Sequence, residues 1–150
     1  MGDQNLCEVE LVDFTEFIDS ELAAELTELC CFALRNEREG SSWTVSIVLT
    51  SDEHLTRLHD EFMGIPEATD IMTFPDEDEP GGDIVISVEQ ADRQRHDDGW
   101  ALAQELRFLV LHGVLHLTGW DDATDQLRAA MLERQRAILE DFQTDPSSSR

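Results

Sequence analysis

The chain has 150 residues, 41% of them apolar, which suits one domain with a core of ordinary size and excludes a largely disordered protein. Acidic residues outnumber basic ones by 34 to 10, so the formal net charge is −24, and the chain contains no lysine. A surface of this charge attracts RNA and other polyanions poorly, which argues against binding through a basic patch.

The first half of the chain predicts two strands and two helices in alternation. Strands are predicted where apolar and polar side chains alternate, and helices where apolar side chains recur every three or four residues behind a capping residue. The predicted elements are a strand at 7–12, a helix from Asp19 or Ser20 into the stretch 35–42, a strand at 43–49, and a short helix from Ser51 to Gly64.

The second half of the chain predicts two further strands and three helices. The predicted segments are a short strand at 71–74, a polar linker at 76–82, a strand at 83–88, a helix at 89–95, a polar interruption at 96–99, a long helix at 100–117 and a final helix at 125–142. On the final helix Leu127, Met131 and Leu132 are expected to point inward. These elements predict a single α+β domain of α/β type over residues 1–143, with about four strands, and a flexible tail at 144–150.

The long predicted helix carries two histidines, His112 and His116, four residues apart. On a helix this spacing places both imidazoles on one face, which is the arrangement that binds zinc in the helix of zinc peptidases. For the pair alone, an ordinary place in the core or on the surface stays open as the alternative. The other histidines, His54, His59 and His96, have no such sequence context.

The residues that follow the two histidines in the sequence predict a third ligand. Gly119 can adopt a positive φ and end the helix, so that the chain folds back toward the metal. The spacing His-x3-His-x2-Gly-x2-Asp then places Asp122 at the last ligand position of a zincin-like metal helix. The sequence therefore predicts a site for one zinc ion formed by His112, His116 and Asp122, with Asp121 as the alternative third ligand.

A zinc ion with three protein ligands keeps an open position for water and is typical of a hydrolase. Zinc peptidases carry a glutamate directly after the first histidine as general base, and Gly113 occupies that position here, which disfavours a peptidase. Glu105 lies two helical turns before His112 at a similar azimuth, which makes it the candidate catalytic base on this face. A structural salt bridge or hydrogen bond is the alternative role for Glu105.

Three motifs of the chain resemble those of the YbeY family of bacterial rRNA maturation factors and endoribonucleases. Residues 112–122 match the family pattern His-Gly-x-Leu-His-Leu-x-Gly-Tyr-Asp-His except at its end. Residues 69–75, Thr-Asp-Ile-Met-Thr-Phe-Pro, are similar to the family's Thr-Asp-Val-Leu-Ser-Phe-Pro. Residues 82–87, Gly-Asp-Ile-Val-Ile-Ser, contain the pattern Gly-Asp-Ile-x-Ile-Ser.

The resemblance implies a mixed sheet beside the metal helix and a zinc-dependent endoribonuclease. Such an enzyme would cleave single-stranded RNA in the maturation of the 16S rRNA 3′ end and in ribosome quality control. The motif residues Asp70, Thr73 and Asp83 are then expected to line the substrate cleft. The implied partner is rRNA or a ribosomal subunit, contacted in part through basic ribosomal proteins.

Two residues depart from the family pattern. Asp122 stands where the family has a third histidine, and Met63 stands where the resemblance implies an arginine that contacts the RNA backbone. Two alternative functions therefore stay open. One is a zinc hydrolase of peptidase or amidase type, and the other is a non-catalytic, ribosome-associated zinc protein.

The distribution of charge and cysteine predicts the protein's environment. Acidic residues are spread over nearly the whole chain, which favours adaptation to high salt over a single surface for a basic partner. No apolar run has the length of a membrane span, no signal peptide is recognisable at residues 1–5, and the three cysteines have neither metal nor redox spacing. We therefore expect a cytoplasmic protein without membrane association.

Overall fold

The structure is a computed structural model that describes residues 7–144. In chain order the elements are β1 (Cys7–Asp13), α1 (Ser20–Glu37), β2 (Trp43–Thr50), α2 (Asp52–Met63), β3 (Ile71–Pro75), β4 (Gly81–Ser87), α3 (Val88–Asp98), α4 (Leu102–Leu117) and α5 (Asp125–Thr144). Within the described range no helix is both long enough and apolar enough to cross a membrane.

The four strands form one mixed sheet in the order β1-β2-β4-β3. Strands β1, β2 and β4 run parallel, and β3 pairs antiparallel with β4 at one edge. Parallel neighbours require a crossover connection, which α1 provides between β1 and β2, and which α2 together with β3 provides between β2 and β4. The predicted α+β domain with a mixed four-stranded sheet is therefore confirmed.

The core lies between one face of the sheet and helices α1, α4 and α5. Every other residue of β2, from Trp43 to Leu49, is buried on this face, as the alternating sequence predicts. Helix α4 packs against α1, α5 and the sheet, which explains why it is apolar over most of its circumference. Gly113 allows the closest approach, because a Cβ atom there would lie only 2.8 Å from Cγ2 of Ile84 in β4.

The opposite face of the sheet is covered only in part by α2. Leu55 of α2 is buried against it, whereas Phe62 and Met63 at the end of α2 are 61% and 62% exposed. Between α2 and the sheet lies an open cavity of about 440 Å³ whose lining includes Phe74 and Asp83. The two faces of the sheet therefore differ, and only the face under α4 belongs to the main core.

The boundaries of helix α3 and strand β4 differ from the prediction, and helix α4 begins at Leu102 instead of residue 100. Helix α3 continues through His96 to Asp98 and ends at Gly99, which has a left-handed conformation with φ of 74°. The polar run at 96–98 does not interrupt the helix, because these residues are exposed to solvent. Strand β4 begins at Gly81, which shortens the predicted linker, and ends at Ser87, whose side chain caps α3.

Helix α5 turns a different face inward from the predicted one. Met131 is buried as expected, but Leu127 is 41% exposed and Leu132 is only partly buried. The buried residues form one stripe at helical spacing, at positions 131, 135, 138 and 142. The helix extends through Thr144, and residues 145–150 of the predicted tail lie outside the described residues.

Candidate metal centre

His112 and His116 lie on one face of α4 with their Nε2 atoms 3.1 Å apart. Their side chains are 22% and 26% exposed, and the two rings meet edge to face at a centroid distance of 4.6 Å. The spacing of four residues therefore brings two imidazole nitrogens to one point, as the helical geometry predicts.

The carboxylate of Asp122 completes the group. Its Oδ2 atom lies 3.6 Å from Nε2 of His112 and 3.4 Å from Nε2 of His116. In a tetrahedral zinc site with ordinary Zn–N and Zn–O bond lengths, two ligand atoms are roughly 3.3 Å apart. The separations between the three atoms here are close to that value. Among residues 7–144, this is the one cluster of three such side chains whose ligand atoms all lie within 4.8 Å of one another. The donor set therefore fits a single divalent metal ion.

The turn after α4 determines which aspartate faces the histidines. Helix α4 ends at Leu117, and Gly119 adopts a positive φ of 111°, as predicted for the helix end. Asp121 is exposed, and its Oδ1 atom accepts a hydrogen bond from the backbone N–H of Ala123. Asp122 is partly buried and points to the imidazoles. The geometry therefore favours Asp122 over Asp121 as the third ligand.

The Nδ1 atom of each histidine has a hydrogen-bond acceptor that fixes the ring. Nδ1 of His116 lies 3.2 Å from the backbone oxygen of Trp120, and Nδ1 of His112 lies 3.3 Å from Oε1 of Gln135 on α5. We assign the imidazole proton to Nδ1 in both rings, which leaves the Nε2 lone pair for a metal. Burial and then the neighbouring His116 lower the pKa of His112, so that the neutral, metal-binding form is favoured.

Gln135 is a functional residue that the sequence analysis missed. It is 2% exposed, and its Nε2 atom donates to the backbone oxygen of Phe108 over 3.2 Å, which orients Oε1 toward His112. Because glutamine is polar, the distribution of apolar residues along α5 predicts that Gln135 is exposed to solvent. Its spacing, four residues after Met131 and three before Ile138, is the signal that identifies it as part of the buried stripe.

Hydrogen bonds connect the loop that follows α4 in the chain to the end of α1. Glu37, whose side chain is 8% exposed, accepts hydrogen bonds from Nε1 of Trp120 at 3.0 Å and from Nε of Arg134 at 2.7 Å. Arg38 donates to the backbone oxygen of Thr118. Three elements, α1, the loop and α5, therefore fix the position of the third ligand together.

Gly113 is directed toward the sheet. The side chain of Ile84 occupies the space where a side chain at position 113 would lie. The catalytic glutamate that zinc peptidases carry directly after the first histidine has no room here. The structure thus adds a steric argument against the peptidase alternative.

The three residues that the family motifs place at the cleft lie on different faces of the sheet. Asp70, just before β3, lines a cavity beside α4. Thr73 shares a face of β3 with Ile71, which packs against the core. Asp83 instead shares the opposite face with Phe74, over the cavity beneath α2. Asp70 and Thr73 therefore lie on the side of the metal centre, whereas the sheet separates Asp83 from it.

Glu105 lies in the cavity beside α4 and away from the metal ligands. It precedes His112 by about 10 Å along the helix axis, and helical side chains lean toward the N-terminus, here away from His112. Glu105 is 2% exposed, and its Oε2 atom accepts from Nε2 of Gln94 over 3.2 Å. Burial and then a side-chain hydrogen bond with Asp98 raise the pKa of Glu105 to about 7. It is therefore not placed for direct proton transfer at the metal centre, because general-base catalysis requires hydrogen-bond reach.

Comparison with protein families gives a match to the family described as Endoribonuclease YbeY over residues 10–143. Curated proteins of that name are similar over most of their length. The protein of Bacillus licheniformis is 30% identical, with 93% of this chain and 98% of that protein covered. The protein of Mycolicibacterium gilvum is 37% identical, with 79% and 75% covered, and that of Synechococcus sp. is 40% identical, with 67% and 70% covered.

A solved structure shows the same fold. The solution structure of TM1509 from Thermotoga maritima superimposes with a TM-score of 0.65 and covers 95% of this chain and 96% of that one. The two sequences are 24% identical, so that this likeness bears on the fold alone.

Proposed function

The chain belongs to the YbeY endoribonuclease family, and we propose that it is a zinc-dependent endoribonuclease that acts in 16S rRNA 3′-end maturation and in ribosome quality control. An endoribonuclease is a hydrolase that cleaves phosphodiester bonds within an RNA strand. The shared name of the curated relatives supports the activity, and the candidate metal centre supports the chemistry.

The observation that supports zinc most directly is the spacing of the three ligand atoms. The separations between Nε2 of His112, Nε2 of His116 and Oδ2 of Asp122 are 3.1, 3.6 and 3.4 Å, close to the edges of a zinc tetrahedron. Two histidines and one carboxylate form a donor set that catalytic zinc sites use, and three protein ligands leave the fourth position open.

When bound, zinc would supply Lewis acidity and would lower the pKa of water at its open position. The chain's own contribution is the arrangement of the ligands. Gln135 and the backbone oxygen of Trp120 keep both imidazoles oriented with Nε2 toward the site. Asp122 adds a negative charge that a third histidine would not, and this charge weakens the effect of the metal on water.

The surface charge bears on how the substrate reaches the site. A chain with a net charge of −24 repels free RNA, and Met63 places an uncharged, 62% exposed side chain where the family resemblance gives arginine. We propose that rRNA is cleaved within a ribosomal subunit in the cytoplasm, where basic ribosomal proteins supply the electrostatic attraction that this surface lacks.

Cleavage of a 16S rRNA 3′ precursor tests the proposal. The purified protein would be compared with His116→Ala, which removes a ligand, and with His96→Ala, a matched control at an exposed position of α3. Each protein is assayed on free RNA and on ribosomal subunits, in low and in molar KCl. We expect cleavage by the wild type and His96→Ala, and loss of cleavage and zinc in His116→Ala.

Other results would select the alternatives. Zinc bound to the wild type without cleavage of either substrate would favour a non-catalytic, ribosome-associated protein. Zinc-dependent hydrolysis of casein would favour the peptidase alternative. Equal cleavage by His116→Ala and wild type would contradict the proposed metal-dependent mechanism.

A further inference from the structure

The three cysteines of the chain form a cluster that the proposed function does not use. Cys7 begins β1, and Cys30 and Cys31 lie on α1, which packs against β1. Cys7 and Cys31 are partly exposed, whereas Cys30 is fully buried in the core. Cys7 and Cys31 are 24 residues apart in the sequence, so that no local spacing relates them, and it is the fold that brings them together.

The side chains of Cys7 and Cys31 are in direct contact. The two thiols share a side-chain hydrogen bond, and Sγ of Cys31 also lies 3.7 Å from the backbone oxygen of Cys7. A disulfide requires two cysteines whose side chains point toward each other from neighbouring backbones, and this contact meets that requirement. The adjacent residues Cys30 and Cys31 do not meet it, because successive side chains on a helix point in different directions. The cluster therefore contains one pair that can be bridged, Cys7 with Cys31.

Cys31 has the environment of a reactive thiol. The hydrogen bond with Cys7 and then the guanidinium of Arg35, one helical turn further on, lower the pKa of Cys31 from 9.0 to about 7 against the effect of burial. The same hydrogen bond and burial raise the pKa of Cys7, which stays protonated. At neutral pH about half of Cys31 is then thiolate, the form that reacts with oxidants. The two thiols therefore differ in reactivity although they are in contact.

We propose that Cys7 and Cys31 are a peroxide-sensitive pair that closes to a reversible disulfide within one chain. Cys31 is the residue that hydrogen peroxide oxidises, and Cys7 is the residue that then forms the disulfide with it. Disulfides of reducing compartments are of this transient kind. The inference depends on neither the metal centre nor the cleavage of RNA.

The reaction has two steps. In the first, the thiolate sulfur of Cys31 attacks one oxygen of hydrogen peroxide, the O–O bond breaks, and Cys31 becomes a sulfenic acid. The hydroxide that leaves takes up the proton that Cys31 had released and forms water. In the second, the sulfur of Cys7 attacks the sulfur of Cys31, the S–O bond breaks, and the hydroxyl group leaves as water with the proton of Cys7. The two thiols lose two electrons, and these reduce the peroxide to two waters.

The disulfide would join α1 to β1 and close a loop of 24 residues. Such a bridge restricts the unfolded chain and thereby stabilises the folded one. We expect the oxidised protein to melt about 5–10 °C above the reduced protein. An oxidised protein that melts no higher than the reduced one would contradict the native contact on which the inference rests.

Thiol counting after the addition of hydrogen peroxide tests the pair. The purified full chain is treated with a small molar excess of peroxide, unfolded in urea and titrated with a chromogenic disulfide reagent, and its peptides are identified by mass spectrometry. We expect loss of two of the three thiols and a peptide pair that links Cys7 to Cys31. The protein should remain a monomer on a non-reducing gel, and dithiothreitol should restore all thiols.

Three variants assign the two roles. Cys7→Ser leaves the sulfenic acid of Cys31 without a partner, and we expect dimedone to trap it there. Cys31→Ser should keep both of its thiols under the same treatment. Cys30→Ala is the matched control, because Cys30 is 0% exposed, and it should form the disulfide at the rate of the wild type.

The contrary outcomes are distinct from these. Three thiols retained in the wild type, a disulfide that contains Cys30, or a dimer linked between chains would overturn the inference. Dimedone labelling of Cys7 in Cys31→Ser, as fast as that of Cys31 in Cys7→Ser, would contradict the order of the two steps.

Discussion

Each imidazole of the metal centre is held by a polar group that the sequence does not mark as functional. His116 forms a hydrogen bond with the backbone oxygen of Trp120 in the turn that follows α4. His112 forms one with Gln135, which lies 23 residues further along the chain. Both bonds act on Nδ1 and therefore set the tautomer that leaves Nε2 free. The metal affinity of this site should thus depend on residues that are not ligands.

Substitution of Gln135 tests this dependence. Gln135→Met retains most of the buried volume but removes the acceptor for Nδ1 of His112. We expect the affinity for zinc to fall by about 10- to 100-fold, as is usual when the hydrogen-bond partner of a ligand is lost. Competition with a chromophoric chelator measures this. Gln126→Met, at an exposed position of the same helix, should bind zinc like the wild type.

Glu105 should give stability a pH dependence of defined sign. Its pKa is about 7 in the folded chain, raised first by burial, and 4.5 is the ordinary value that holds in the unfolded chain. Between these two values the folded state keeps a proton that the unfolded state has lost, so that stability falls as the pH rises from about 4.5 to 7. Above pH 7 this contribution becomes constant.

The Glu105→Gln variant isolates that contribution. Its free energy of unfolding relative to wild type should increase by about 2.5 kcal/mol between pH 5 and pH 8. Urea unfolding of both proteins at intervals of one pH unit measures the difference. A difference that stays flat across this range would show that the carboxyl group titrates normally.

At the scale of elements, the close contact between α4 and β4 fixes the metal helix on the sheet. Gly113 and Ile84 meet at this contact, and no side chain fits between them. The helix also carries both histidines, so that any displacement of α4 away from the sheet would move two ligands relative to Asp122. A glycine within a helix lowers helix propensity, and close packing is the physical reason for its presence here.

Gly113→Ala should therefore destabilise the protein. The added Cβ atom would lie 2.8 Å from Cγ2 of Ile84, and overpacking of this kind costs about 1–3 kcal/mol. In an Ile84→Ala background the same change should be neutral or stabilising, because the space is free and alanine favours the helix. A double-mutant cycle from thermal or urea unfolding measures the coupling. Additive effects of the two substitutions would contradict direct contact.

The sequence predicts those elements whose pattern depends on local contacts. The alternation in β2, the cap at Ser51 and the turn at Gly119 are all found where they were expected. The prediction was wrong at 96–98, where a polar run on an exposed helix face looks like an interruption. The true end of that helix is Gly99, whose left-handed conformation is the stronger physical signal.

The candidate site is predictable where its ligands are close in sequence. His112, His116, Gly119 and Asp122 lie within eleven residues, and helix geometry with one turn brings the ligands together. The partner groups on α1 and α5 depend on how distant elements pack, and no local pattern specifies that. The strand order β1-β2-β4-β3 also depends on how distant elements pack, since the positions of strands in the sequence do not determine which strands are neighbours.

At the scale of the whole molecule, the dominant property is the net charge of −24. Several carboxylates are paired with arginine, as in Arg107 with Glu25 at 2.9 Å, but ten basic residues cannot pair with 34 acidic ones. The excess negative charge repels itself in the compact state and destabilises it. Salt screens this repulsion, because the Debye length falls from about 10 Å at 0.1 M to about 3 Å at 1 M.

The stability of the protein should therefore rise with salt. At neutral pH we expect the free energy of unfolding to increase by a few kcal/mol between 0.05 and 2 M KCl, as screening removes the repulsion. Urea unfolding at each salt concentration gives the value. Near the isoelectric point of about 4.1 the same salt range should have little effect, which serves as the control. Stability that falls or stays flat at neutral pH would contradict this explanation of the charge.

The proposed function depends on one metal ion bound by His112, His116 and Asp122. The measurement that tests it most directly is the zinc content of four purified proteins: wild type, His116→Ala, Asp122→Ala and Asp121→Ala. We expect one zinc per chain in the wild type and in Asp121→Ala, and loss of stoichiometric zinc in the other two. Stoichiometric zinc in both His116→Ala and Asp122→Ala would contradict the ligand set and, with it, the proposed catalytic centre.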